Sequence, residues 1–123
     1  MPVITKGVKM TKTEYLLSKI IEECADLQHH ASKALQFGLA NRHPDNPHLM
    51  ETNAYRIVER YLYIKASMKM LSADKSDTAL FPVLNEERIM QRKMESTQQF
   101  MSYARDIGTL IPGVRNEQET KIP

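Results

Sequence analysis

The run EECADLQHHASKALQFGL, residues 22–39, constrains the fold most strongly, because its apolar residues recur at intervals of three or four. This spacing predicts a helix with one buried face. With the residues just before it, the run gives an apolar stripe: Leu16, Leu17, Ile20, Ile21, Cys24, Leu27, Ala31 and Leu35. Positions four and seven apart lie on one side of a helix. The opposite stripe is therefore polar and consists of Glu22, Asp26, His29 and Lys33, with Glu23 and His30 on its flanks.

The bulk properties of the chain are those of a single globular domain. Its 123 residues suffice to bury a core. A net charge of +2 is too small to indicate a nucleic acid or a membrane as partner, and one cysteine excludes an intrachain disulfide. No apolar run approaches the roughly 20 residues of a membrane span, and the chain begins without a signal-peptide pattern. We therefore expect a cytoplasmic protein without a membrane partner and without long nucleic acid.

Capping residues predict where the first helix begins and ends. Thr11 and Glu14 have the spacing of a capping box, so the helix should begin near Lys12. It should run to about Phe37, with Gly38 as a left-handed C-cap. The following residues, 39–51, contain two prolines and several turn formers and predict a loop.

Two further helices are predicted. Thr52 or Asn53 should cap the second, which ends around Ser72–Ala73. Its predicted buried stripe is Ala54, Ile57, Val58, Tyr61, Leu62, Ile64, Met68 and Leu71. Asn85 should cap the third helix and Gly108 should end it. The predicted inner side of the third helix is Ile89, Met90, Met94, Phe100, Met101, Ala104 and Ile107.

These elements predict an all-α fold, a bundle of three main helices completed by oligomerisation. Oligomerisation is expected because apolar side chains surround the second helix. They include Tyr61, Tyr63, Ile64, Met68 and Met70. We divide the chain into an N-terminal arm (1–10), a helical domain (11–109) and a flexible C-terminal tail (110–123).

The acidic residues of the first helix leave two interpretations open. Glu22, Glu23 and Asp26 lie within about one turn of each other and could hold a hard cation such as Mg²⁺. Acids at these spacings are also common on solvated helix faces. His29 and His30 could bind metal or phosphate, but adjacent residues point about 100° apart on a helix and do not easily serve one site.

The run 22–39, with the proline-containing loop and the Thr-Asn pair that opens the second helix, resembles the MazG-like all-α nucleoside triphosphate pyrophosphohydrolases. The segment ASKALQFGL is the most specific part, and small stand-alone members found in phages are the most similar. The resemblance implies a helical dimer or tetramer that binds Mg²⁺ through acids on two helices. It also implies cleavage of nucleoside triphosphates to a monophosphate and pyrophosphate.

The resemblance assigns roles to residues that match the family's motifs. Glu22, Glu23 and Asp26 fall on the first metal-binding motif. Lys33 falls on a lysine suited to phosphate and Asn53 on the asparagine that opens the second helix, so both are candidate ligand-binding residues.

The second acidic motif is absent from this sequence. Its glutamate and aspartate fall on Arg60 and Tyr63, and the one acid of the second helix, Glu59, is one residue out of register. A guanidinium in place of a carboxylate favours phosphate over Mg²⁺. The departure therefore predicts a pocket that holds a nucleotide and hydrolyses it weakly or not at all.

Three hypotheses follow. In the first, the chain binds a nucleotide with little or no hydrolysis, and a phage-encoded copy would sequester a nucleotide signal of host defence. Tyr61 or Tyr63 would stack on the base. The candidate phosphate ligands are Lys33, Arg60, Arg56, His29, Arg42 and His43. In the second, the chain is an active Mg²⁺-dependent pyrophosphohydrolase that uses its first acidic motif with Glu59. In the third, it is a helical adaptor that binds another protein.

Overall fold

The computed structural model describes residues 9–42, 51–73 and 81–111, and within these ranges the chain is all-α. The three helices are α1 (Lys12–Phe37), α2 (Asn53–Ala73) and α3 (Glu86–Asp106). No described residue belongs to a β-sheet strand, and none of the three helices is long and apolar enough to cross a membrane. The predicted arm up to residue 8, His43 and the tail from residue 112 lie outside the described ranges.

The predicted ends of α1 are confirmed. The Thr11 hydroxyl accepts from the Glu14 amide at 3.1 Å, and the Glu14 carboxylate accepts from the Thr11 amide at 2.9 Å. This reciprocal capping satisfies two donors that an uncapped helix leaves open. At the other end Gly38 has a φ of 97° and a ψ of 152°. The positive φ is as predicted, but the ψ is extended instead of left-handed helical.

The beginnings of α2 and α3 also follow their predicted caps. The Thr52 hydroxyl accepts from the Tyr55 amide at 3.1 Å, so Thr52 caps α2. The Asn85 side chain accepts from the Arg88 amide at 3.0 Å and caps α3. Helix α3 ends two residues before Gly108, which has a φ of 85°.

The helices α1 and α2 form an antiparallel hairpin whose connected end is closed by Asn53. The Asn53 side chain donates to the Gly38 carbonyl at 2.9 Å, and its backbone amide donates to the Asn41 carbonyl at 2.8 Å. The Ala54 amide adds a bond to Leu39 at 3.0 Å. Asn53 is 1% exposed, so its side chain is a structural link between the two helices.

The face of α1 that is covered differs from the predicted one. Its central line recurs at alternating intervals of four and three and is Leu16, Ile20, Glu23, Leu27, His30 and Ala34. Five further positions of the helix are half-buried: Thr13, Ser18, Lys19, Asp26 and Lys33. The predicted stripe is therefore only partly correct, because Leu17, Ile21, Cys24, Ala31 and Leu35 are exposed. The helix is rotated so that Glu23 and His30, which were placed on the flank of the polar stripe, are covered instead.

The covered face of α2 shows the same alternation. Its central line is Asn53, Ile57, Arg60, Ile64, Ser67 and Leu71, and Ala54, Arg56 and Glu59 are also half-buried. Of the predicted stripe, Val58, Tyr61, Leu62 and Met68 are exposed. We call the two covered faces together the seam. Leu16 and Leu71 are the buried apolar side chains of the described residues, and the other seam positions are a mixture of aliphatic and polar or charged side chains.

The chain divides into two compact units, 1–82 and 83–123. The first contains the α1–α2 hairpin and the second contains α3, so the predicted domain 11–109 spans both units. No residue of α3 is buried, and its predicted inner side includes the exposed residues Met90, Met94 and Phe100.

Candidate functional site

A cluster of charged side chains interrupts the seam. The Arg60 Nη1 atom donates to Glu23 Oε2 at 3.2 Å and lies 3.8 Å from Asp26 Oδ2. Its Nη2 atom lies 3.9 Å from Glu59 Oε1. One guanidinium therefore faces three carboxylates from both helices. We call Glu23, Asp26, Glu59 and Arg60 the charge cluster.

Arg60 remains a cation within this cluster. Its side chain is 19% exposed and that of Glu23 is 13% exposed, so the pair is largely shielded from solvent. Burial alone would lower the pKa of the guanidinium, but the hydrogen bond and the charge of Glu23, with the charges of Asp26 and Glu59, raise it overall. The shielded carboxylate thus has a permanently charged partner.

His30 lies next to the charge cluster and is 7% exposed. Burial lowers its pKa, and the nearby His29, Arg60 and Arg56 lower it further, while Asp26 acts in the opposite direction. At neutral pH the imidazole is therefore uncharged. A neutral imidazole presents one donor and one acceptor nitrogen.

Three buried nitrogen atoms near this point have no hydrogen-bond partner. They are Nδ1 of His30, Nε of Arg56 and Nε of Arg60. The two Nε atoms are donors in every protonation state that arginine adopts in proteins. Buried donors without acceptors are uncommon and costly. An acceptor group supplied by a ligand or by water would satisfy them.

Tyr63 joins the charge cluster to a groove on the outside of α2. The Arg60 guanidinium carbon lies 5.1 Å from the centre of the Tyr63 ring, within range of a cation–π interaction. The charge of Glu59, burial and a hydrogen bond to Glu59 raise the pKa of the phenol. The groove has a volume of about 140 Å³ and is lined by Tyr55, Val58, Glu59, Leu62 and Tyr63.

Other predicted site residues lie away from the charge cluster or have structural contacts. Glu22 pairs with Lys19 at 3.4 Å. Lys33 Nζ lies 5.7 Å from the Phe37 ring. The His29 ring contacts His30 edge-on, with centroids 5.3 Å apart.

Two further predicted ligands sit at the connected end of the hairpin. Arg42 lies in a backbone bridge to Thr52. Asn53 binds the Gly38 carbonyl, as described above. Of the predicted ligands, the structure thus brings together Glu23, Asp26 and Arg60, with Tyr63 at their edge.

The acids of this site do not fit a bound Mg²⁺ ion. Such an ion needs carboxylate oxygens that are free to face it. Glu23 and Asp26 face Arg60, and Glu22 faces Lys19. Across the three described ranges, no group of three or more acidic, histidine or cysteine side chains is arranged to hold a metal.

Sequence reasoning missed two features of the site. The spacing predicts His30 at the flank of a polar stripe although it is buried, and it gives no sign of Tyr55, which lines the groove. Glu59 also lies close to Arg60, although it is one position out of register with the second acidic motif of MazG-like proteins. The alternating spacing of Leu16, Ile20, Glu23, Leu27 and His30 was the available signal for the covered face.

No known family model matches the chain, no curated protein matches its sequence, and no solved structure matches its fold. The resemblance to MazG-like proteins therefore depends on the residues of α1 and on the opening of α2.

Proposed function

We propose that this chain binds a nucleotide and hydrolyses it weakly or not at all, as a MazG-like protein whose metal site has been replaced by an internal ion pair. The observation that carries the proposal is the contact of Arg60 Nη1 with Glu23 at 3.2 Å and with Asp26 at 3.8 Å. In a phage, such a protein would sequester a nucleotide signal without destroying it.

The first support comes from competition for carboxylate oxygens. A divalent cation would need the oxygens of Glu23 and Asp26 that the guanidinium already contacts. Separating a fully buried ion pair by removing one partner costs about 3–5 kcal/mol, and somewhat less where solvent reaches the pair. Metal-dependent activation of water is correspondingly disfavoured.

The second support comes from the unsatisfied donors. The Arg60 Nε and the Arg56 Nε have no partner, and the 3.9 Å from Arg60 Nη2 to Glu59 exceeds hydrogen-bond distance. Phosphate oxygens bind arginine donors with charge-assisted hydrogen bonds. A phosphate at the edge of the charge cluster would satisfy donors that the protein leaves open.

The test is calorimetry with cyclic and linear nucleotides, with and without EDTA. We expect binding that EDTA does not change and that Arg60→Ala weakens by at least tenfold. Arg92→Ala on α3 is the matched control and should bind like wild type. Binding that EDTA abolishes, or no binding of any nucleotide, would contradict the proposal.

A pyrophosphate-release assay with Mg²⁺ or Mn²⁺ addresses the alternative of an active pyrophosphohydrolase. We expect no turnover, and release of pyrophosphate that Glu23→Ala abolishes would establish the alternative. Arg60→Glu adds a carboxylate and removes the competing cation. Millimolar Mg²⁺ should therefore raise the melting temperature of Arg60→Glu while leaving that of the wild type unchanged.

The exposed apolar faces of the hairpin favour a homo-oligomer as part of this proposal. Leu17, Ile21 and Leu35 on α1 and, on the side of α2 away from the groove, Tyr61 and Met68 are all exposed in the single chain. The same faces are the observation that favours a protein-binding adaptor as a second candidate function. Sedimentation of the purified chain separates the two, because a stable dimer or tetramer would occupy these faces.

A further inference from the structure

The groove on α2 combines aromatic, aliphatic and acidic side chains. Its residues follow the 3–4 spacing of one helix face: Tyr55, Val58, Glu59, Leu62 and Tyr63. The two tyrosines are eight positions apart and thus separated by about 12 Å along the helix axis. Val58 and Leu62 lie between them, and Glu59 is the one carboxylate of the lining.

This lining selects for a flat ring system with N–H donors at one edge. Tyrosine rings and aliphatic side chains favour planar heterocycles, which they contact through stacking and apolar surface. An ionised carboxylate accepts hydrogen bonds and donates none. It therefore favours a ring edge with two adjacent donors and disfavours an edge that presents a carbonyl or a ring-nitrogen acceptor.

Among the common nucleobases, guanine has this edge. Its N1–H and its exocyclic amino group point in parallel and match the two oxygens of one carboxylate. Adenine and cytosine place a ring-nitrogen acceptor beside their amino group. Uracil places its N–H between two carbonyl oxygens. Each of these three edges would bring an acceptor against the carboxylate.

We propose that the α2 groove binds the base of a guanine nucleotide, with Glu59 accepting from N1–H and the exocyclic amino group. The inference rests on the proposed nucleotide binding and specifies its base. Of the two tyrosines that the sequence offers as alternatives for stacking on the base, Tyr63 lines the groove and Tyr61 does not, and Tyr55 is its second aromatic wall.

The position of Arg60 agrees with this assignment. Its guanidinium carbon is 5.1 Å from the ring centre of Tyr63, a wall of the groove, and its Nη2 is 3.9 Å from Glu59. A base in the groove thus has at its border the Arg60 side chain, whose Nε donor is open to a phosphate oxygen. The groove volume of about 140 Å³ accommodates a base, so the ribose and phosphate would lie outside it.

Charge complementarity favours the base over an apolar partner. Glu59 accepts a hydrogen bond from the Tyr63 phenol, and with a side-chain exposure of 24% its remaining acceptor positions are hydrated in the free chain. An apolar side chain in the groove would remove that water without replacing its hydrogen bonds, which is costly for a carboxylate. The donor edge of guanine replaces them.

The experiment measures the binding of guanosine, inosine and adenosine 5′-monophosphates to the full chain by calorimetry. Inosine monophosphate keeps N1–H and lacks the exocyclic amino group, so it isolates one of the two hydrogen bonds. We expect guanosine monophosphate to bind at least about tenfold more tightly than adenosine monophosphate, with inosine monophosphate between them. This factor corresponds to one well-formed bidentate pair.

Glu59→Gln should remove the preference for guanine by weakening guanosine monophosphate about tenfold while leaving adenosine monophosphate nearly unchanged. Glu95→Gln on α3 changes the same charge elsewhere and should keep the preference. Circular dichroism establishes that both variants are folded.

Equal affinity for guanosine and adenosine monophosphates in the wild type would overturn the base assignment and leave the proposed nucleotide binding intact. A preference for guanine that survives in Glu59→Gln would overturn the role of Glu59. Absence of binding by all three would contradict the proposed function itself. A second copy of the chain could fill the groove instead. In that case Leu62→Arg would dissociate the oligomer and the wild type would show no base preference. This result would also overturn the assignment.

Discussion

Along the seam, α1 presents Glu23 and His30 to its neighbour, whereas its exposed side presents Leu17, Ile21 and Leu35. Helix α2 repeats the contrast, with Arg60 in the seam and Val58 and Leu62 exposed. In most isolated helical hairpins the apolar face would be the covered one. The contrast indicates that the seam contributes specific polar contacts and that the apolar faces are available for a ligand or another copy.

The largest expected effect is on the apolar end of the seam. Leu71 is fully buried, so Leu71→Ala should lower the free energy of unfolding by about 3 kcal/mol. Leu35 is 89% exposed in the single chain, and Leu35→Ala should change the free energy of unfolding by less than about 0.5 kcal/mol at protein concentrations where the chain is monomeric. Urea unfolding of the two variants measures the difference. An equally large loss for Leu35→Ala would mean that the outer face is buried in solution.

The next effect concerns the charge cluster. Arg60→Ala leaves the shielded Glu23 without its cation and should cost about 2 kcal/mol, less than a fully buried pair because solvent partly reaches the site. The double variant Glu23→Leu with Arg60→Leu should regain most of that loss. A double-mutant cycle in urea, completed by the single variants Glu23→Leu and Arg60→Leu, isolates the pair. Additive single effects would show that the pair has no coupling and that the polar seam does not stabilise the hairpin.

A smaller effect is expected at the connected end of the hairpin. Asn53→Ala removes a donor from the Gly38 carbonyl and should cost about 1–2 kcal/mol. Asn53→Asp has nearly the same size but cannot donate, so it should lose at least as much. Thermal unfolding compares the two. If Asn53→Asp matched the wild type, the hydrogen bond would not be the reason for the burial of Asn53.

The smallest expected effect is the pH dependence of His30. Its pKa is lowered in the folded chain by burial and by neighbouring cations, so the unfolded chain binds the proton more readily. The stability that this group contributes is complete above the unfolded pKa of about 6.5 and declines as the pH falls from there toward the folded pKa.

Urea unfolding at several pH values between neutral and mildly acidic tests this expectation. His30→Gln should flatten the decline, whereas His29→Gln, at the exposed neighbouring position, should largely retain it. An unchanged decline in His30→Gln would assign the pH dependence to other groups.

The ends of the helices followed from the sequence because they depend on local contacts. Thr11 with Glu14 and Asn85 with Arg88 are three positions apart, and such caps form whatever the rest of the chain does. The end of α1 at Gly38 was also predictable from local sequence, because a positive φ favours glycine.

The rotation of α1 could not be predicted in the same way. Its apolar stripe satisfies the helical spacing, but which face is covered depends on what α2 presents. Arg60 supplies a partner for Glu23, so the seam accepts an acid that burial alone would reject. The sequence alone thus indicated that Arg60 is central to the candidate site. It did not indicate the groove beside Arg60, because that groove depends on how the side chains of α2 pack, which periodicity does not specify.

The Arg60–Glu23 contact also determines how the two helices can slide past each other. A shift of one seven-residue repeat would keep most apolar positions aligned but move these two side chains about 10 Å apart. Both would then be shielded charges without a partner, which heavily penalises the slipped pairing. The ion pair therefore sets the register in the middle of the hairpin, as the Asn53 hydrogen bonds set it at the connected end.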